Sequence, residues 1–329
     1  MMQKLFWVLL CLNTSLLLAQ EETLEDFLKL SHKNLEKYSL TELTGFDPVR
    51  EKEYGFSEDL KTNPDYYLFL SHLSHLSLTQ AKTLAQWQGL WLFLNGITEL
   101  DKITAEVLAQ RQGYGLFLNG ITELGEAPAK ALAQWRGRHL SLNGITELDE
   151  MTAKALAEWQ GKFLYLNGLQ ELEESVAKAL AQWKGEEWRG CGLYLNGLQE
   201  LDEATAKALA QWQGSWLYLN GIKELGEATA NALAQWQGNE FYLNGIQKLD
   251  EATANALAQF KGEELYLNGI TQIDEPLVKA FTPFQGNQLS LEGLTGIEEA
   301  TAQAIFPLLQ KINVSEKIKT EIENYCKEK

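Results

Sequence analysis

The sequence predicts an α/β fold: a right-handed β-α solenoid curved like a horseshoe, with a parallel sheet on the concave face and helices on the convex face. Three observations predict it. An apolar residue recurs at a spacing of 24, each copy opens with an alternating apolar triplet, and each closes with a run of strong helix formers. The recurring residue is Leu68, Leu92, Leu116, Leu140, Leu164, Leu193, Leu217, Phe241, Leu265 and Leu289, which makes ten repeats across 65–310. One step, from Leu164 to Leu193, is 29 residues long, because five residues (186–190) are inserted there.

Taken in order, residues 1–19 read as a secretory signal peptide. Lys4 supplies the positive charge, Leu5 to Leu18 are mostly apolar, and Ala19 offers a small residue for cleavage before Gln20. A membrane anchor is the competing reading, but the apolar run is short for a span of about 20 residues. Cys11 follows Leu10 rather than a small residue, which argues against a lipoprotein site. The expectation is a secreted or periplasmic protein with no integral membrane segment in the mature chain. Residues 20–64 read as an N-terminal helical cap region, in which Thr23 to Tyr38 places Leu24, Phe27, Leu28, Leu35 and Tyr38 on related faces.

The repeat itself is clearest from Leu193 to Gly214. Leu193-Tyr194-Leu195 alternates as a half-buried strand does, and Asn196-Gly197 is a turn signal. Leu198 and Leu201 return to the interior. Asp202 is placed to cap a helix over Ala204 to Gln213, and Gly214 suits a left-handed residue that ends it. Three helical columns are apolar throughout the array: alanines such as Ala206, leucines such as Leu209, and tryptophans such as Trp212. Their one polar entry is Arg111. No repeat can bury this stripe alone, so the array is stable only when stacked. Residues 311–329 read as a C-terminal capping helix from Ser315 to about Lys327, with Ile318, Ile322 and Tyr325 able to dock.

Composition narrows the function. The 329 residues carry a formal net charge of −17, which repels nucleic acid and anionic membrane surfaces. Cys191 and Cys326, the two cysteines beyond the signal, lie too far apart along a solenoid for an internal disulfide. The four histidines form no HExxH zinc pattern, and neither GxSxG nor GxxxxGK[ST] occurs. His72 and His75 invite a metal reading, but they stand in the atypical first repeat. The expectation is therefore a protein that is not an enzyme, with no cofactor and no metal.

Segments such as LFLNGITELDK and LYLNGLQELDE resemble the leucine-rich-repeat superfamily, in its short 24-residue, bacterial-type and secreted form. The resemblance covers roughly 65–310 and recurs in every repeat. It implies a curved solenoid with a parallel sheet on the concave side, and a partner bound there. One departure is that Asn196 directly follows Leu195, whereas the common pattern places its asparagine three residues after the second strand leucine.

The concave face carries the candidate ligand-binding residues. Side chains between the strand leucines point away from the core. With the residue before each first leucine, they give Trp91, Phe93, Phe117, Phe163, Tyr165, Tyr194, Trp216, Tyr218, Tyr242 and Tyr266. One reading is an aromatic platform for a protein, peptide or glycan, with Phe163, Tyr165, Tyr194, Trp216 and Tyr218 at its centre. The other is a stacked ladder that only stabilises the sheet. An open face makes Tyr218→Ala cost about 1 kcal/mol or less, against about 2–5 kcal/mol for Leu209→Ala in the core. The asparagine column (Asn95 to Asn268) reads as structural, and the acidic column (Glu99 to Glu224) as a solvated face. The insertion, with Trp188 and Arg189, is either a functional loop or an ordinary length change. The leading expectation is non-catalytic recognition outside the cytoplasm; the alternative is a structural or surface-adhesive array.

Overall fold

The structure is a computed structural model, and it describes residues 66–185 and 190–327. The signal segment, the 20–64 cap region, and Trp188 and Arg189 of the insertion lie outside the described residues. Eleven parallel strands form one open sheet in sequential order. They are β1 (Tyr67–Phe69), β2 (Trp91–Phe93), β3 (Gly115–Phe117), β4 (His139–Ser141), β5 (Phe163–Tyr165), β6 (Gly192–Tyr194), β7 (Trp216–Tyr218), β8 (Glu240–Tyr242), β9 (Glu264–Tyr266), β10 (Gln288–Ser290) and β11 (Ile312–Asn313). A helix follows each of the first ten, from Leu78–Gln86 to Glu299–Ile305, and Glu316–Lys327 closes the array. Every strand pairs with its equivalent in the next repeat, so Leu193 opposes Leu164 despite the insertion.

The eleventh strand falls in 311–329, where a helix alone is expected. Ile312 and Asn313 pair with Leu289 and Ser290, so the sheet continues one strand past the last full repeat. The closing helix buries Ile318 and Ile322, whereas Tyr325 remains 39% exposed and does not dock.

Between sheet and helices runs one continuous core. The alanine and leucine columns are buried throughout, and the tryptophan column is buried except at its last member, Leu308, which is partly exposed. The helices are shorter than the alanine-rich run suggests. The one capped by Asp202 is Glu203–Leu209, and Ala210 closes it in right-handed geometry. Trp212 therefore sits in the turn beyond the helix, and its ring folds back over Gly214. A Cβ on Gly214 would lie 2.0 Å from Trp212 Cζ2. That close approach, not a left-handed cap, is why glycine stands there. Among the described residues only Gly185 (φ 64), just before the insertion, and Gly190 (φ 106), its last residue, have positive φ.

Two ladders tie neighbouring repeats together. Trp159, Trp183 and Trp212 each donate Nε1–H to the backbone carbonyl of the preceding tryptophan at 2.9–3.0 Å. The Asn196 side-chain oxygen accepts the backbone N–H of Asn220 at 3.0 Å, and the same bond recurs from Asn95 to Asn268. These bonds satisfy turn N–H groups that burial would otherwise leave unpaired. Aspartate caps do the same at helix starts: Asp101 and Asp149 each accept two backbone N–H bonds, and Asp202 and Asp250 one. The threonine three residues on lowers the four carboxyls below the usual aspartate range, first through its hydroxyl at Asp101 and Asp149 and first through its backbone N–H at Asp202 and Asp250.

Side-chain spacing shows which way the sheet bends. Rings in the column Phe69 to Phe117 and in the column Tyr165 to Tyr266 stack at 4.0–4.3 Å. Rings of the tryptophan column, on the helix side, stand 5.7–6.1 Å apart. Strands repeat at about 4.8 Å, so the first column lies inside the curve and the second outside it.

Candidate binding surface

The concave face is built by two columns of side chains, one from the first residue of each strand and one from the third. Over β1 to β6, and at Tyr218 of β7, these side chains are buried, not open. Phe93 and Phe117 are 0% exposed, Tyr165 is 2%, Tyr218 is 4% and Tyr194 is 5%. Trp91 and Phe163 are buried as well. They form a second hydrophobic cluster, separate from the main core. This corrects the expectation of an open aromatic platform centred on Phe163, Tyr165, Tyr194, Trp216 and Tyr218. Inside a curve, rings on successive strands are pressed face to face, so each covers its neighbours. Of those five, only Trp216 is half-buried.

Glycine and serine interrupt the columns where a large neighbour leans across. A Cβ on Gly115 would meet the Trp91 ring at 2.2 Å, and one on Gly192 would meet Phe163 at 2.9 Å. Phe163 and Trp216 thus stack over Gly192, with centroids 5.6 Å apart. At β4 the third position is Ser141, whose hydroxyl donates to Asn119 Oδ1 at 2.6 Å. His139, fully buried beside it, stacks on Phe163 and lies 3.0 Å from the Tyr165 hydroxyl. Burial, helped by the charges of Lys162 and Arg138, holds its pKa well below 6.5.

Towards the far end the face changes character. Trp216, Glu240, Tyr242, Glu264, Tyr266 and Gln288 are all half-buried, so the accessible part of the two columns lies on β7 to β10. Glu240 accepts from Trp216 Nε1 at 2.7 Å and from the Tyr242 hydroxyl; Glu264 accepts from the Tyr266 hydroxyl. Burial and the bond to Glu264 push the Tyr266 phenol far up, so it stays protonated. Glu240 and Glu264 are direct neighbours in the sheet. Choosing aromatics alone passes over both. The signal for them is the switch of the first strand position from Trp216 to consecutive glutamates.

The rim of the face is polarised. Lys162 Nζ lies 5.4 Å from the Trp216 ring and 5.5 Å from Phe163, and Arg138 lies over Tyr114. On the acidic side, Glu263 is exposed beside Glu264. Elsewhere, the acidic column Glu99 to Glu224 is exposed to solvent, and no cluster of three or more metal-ligating side chains occurs among the described residues. His72 and His75 are both exposed. Cys191 is buried and Cys326 partly so. No described helix is long and apolar enough to cross a membrane.

No protein-family model matches the chain, and no curated protein matches it. Among solved structures, the chain is similar to one in the crystal structure of the Rad7 and Elc1 complex in yeast, at 16% identity and a TM-score of 0.41, over 97% of this chain and 95% of that one. A likeness of that size adds nothing to the strands and helices described above.

Proposed function

We propose that this chain is a non-catalytic binding protein of leucine-rich-repeat type that works outside the cytoplasm and recognises a protein, peptide or glycan. Its recognition surface is the end of the concave face over β7 to β10. The observation that supports this is the break in burial along the face. Six strands close their concave side chains against one another, and the next four leave polar and aromatic groups half-exposed on the same rigid sheet. A ladder needed only for stability would have no use for Glu240 and Glu264 in place of rings. Rigid aromatics beside directed polar groups are what recognition surfaces use. The signal-like segment ending at Ala19 supports export.

A structural role has its own supporting observation, the near-complete burial of the rings from Phe69 to Tyr218. The two readings divide the face between them: ladder over β1 to β6, ligand surface beyond. Calorimetric titration against panels of peptides and oligosaccharides tests the second. A ligand found this way should lose about tenfold or more in affinity with Tyr266→Ala or Trp216→Ala, and almost none with Lys207→Ala on the helix side. The reverse pattern would move the site to the convex surface.

A further inference from the structure

The exposed end of the concave face has a chemistry narrower than recognition in general. Resting on the reading above, we propose that it docks a basic peptide segment, taking a lysine or arginine side chain between Glu240 and Glu264.

Charge is the first argument. The two glutamates are register partners on adjacent strands about 4.8 Å apart, where like charges oppose one another. Within the described residues their hydrogen-bond partners are neutral donors: Trp216 Nε1, the Tyr242 hydroxyl and the Tyr266 hydroxyl. Among the described residues the ion pairs lie on helices, such as Glu203 with Lys207 and Glu275 with Lys279, and none reaches either carboxylate. A cation placed between Glu240 and Glu264 removes their repulsion and gains two attractions at once.

Hydrogen-bond polarity is the second argument. Both tyrosine hydroxyls donate to a carboxylate within the face. Carboxylates only accept. Glu240 and Glu264 thus form a pair of acceptors on adjacent strands. Ammonium and guanidinium groups are its complement, since they only donate. A sugar hydroxyl, which both donates and accepts, matches less well. A sugar also wants an open ring face, and Tyr218, Tyr242 and Tyr266 are stacked at 4.1 and 4.2 Å, with their faces turned on one another. The chain carries a small instance of such a contact in itself, for Lys162 already rests over Trp216 at the edge of this patch.

The test is fluorescence anisotropy on the full chain with three labelled probes: a short peptide of alternating arginine and glycine, the same peptide with glutamate for arginine, and a glucan oligosaccharide. The arginine peptide should bind and the other two should not. Glu240→Gln with Glu264→Gln should weaken that binding by about tenfold or more. Glu123→Gln with Glu147→Gln, an equal loss of charge on exposed loops, should change it by less than about twofold, because solvent and salt screen such sites. Thermal melts of both pairs establish that each is folded; Glu264→Gln alone replaces the first pair if it is not. Failure of the arginine peptide to bind overturns the proposal, as does an equal effect of the two pairs, which would mean attraction to net charge only. If instead the glutamate peptide or the oligosaccharide binds and Tyr266→Ala abolishes it, the concave site stands and the basic partner falls. If arginine-peptide binding is lost with helix-side variants such as Glu203→Gln and not with the concave pair, both fall.

Discussion

Arg111 is the one charged side chain in the tryptophan column, and it is 2% exposed. One of its nitrogens, Nη2, donates to Gly89 O at 2.7 Å, while Nε and Nη1 are buried without a partner, and burial lowers its pKa to about 10. It occupies the slot of a ladder tryptophan, with its guanidinium 4.9 Å from the Trp87 ring. Replacing a poorly paired buried charge by a well-packed apolar group is often stabilising. Arg111→Trp should therefore raise stability by about 1–3 kcal/mol in urea melts; a loss would show that the bond to Gly89 outweighs the two bare donors. His139 gives the array an acid-sensitive point. Its pKa is depressed by burial, so below about pH 6.5 the unfolded chain takes up a proton that the folded chain does not, and stability falls with pH. Stability should therefore fall between pH 7.5 and 5.5 in urea melts. His139→Phe should remove that part of the pH dependence, and an unchanged slope would assign it to other groups.

At the scale of the element, the three-residue strand has two faces that are both buried over most of the sheet. Tyr218 is 4% exposed and stacked on Tyr194 and Tyr242, so truncation opens a gap in a continuous column. Tyr218→Ala should cost about 3 kcal/mol, close to the range of about 2–5 kcal/mol for Leu209→Ala, instead of the small loss that an open face implies. Equilibrium denaturation of the two variants compares them directly, and a loss below about 1 kcal/mol for Tyr218→Ala would restore the open face. The strand, its register and its inward leucines are legible in the sequence, because alternation fixes which side a residue faces. Burial of the outward side is not. It depends on how closely successive strands bring their rings together, and that distance is set by curvature. Helix ends are misread for a related reason. Alanines and Gln211 suit a helix, but Trp212 needs the turn to fold its ring over Gly214, and packing overrides propensity.

For the whole molecule, repetition makes the architecture readable. A spacing of 24 repeated across the chain leaves stacking as the one way to bury its columns. The eleventh strand escapes because Ile312 and Asn313 lack the asparagine-glycine turn that follows β2 to β9. Of the candidate site, the face was legible and the accessible region was not: the aromatic residues run along all of it, and the half-exposed glutamates occupy only its far end. The ring spacings also have a mechanical meaning. Aromatic rings at 4.0–4.3 Å are already near van der Waals contact, where attraction turns steeply to repulsion. The inner columns therefore act as a stop against tighter bending, and straightening has to pull apart every stacked pair together. The array is a spring wound to its limit on one side, so the proposed partner meets a fixed arc and spends none of its binding energy in shaping it.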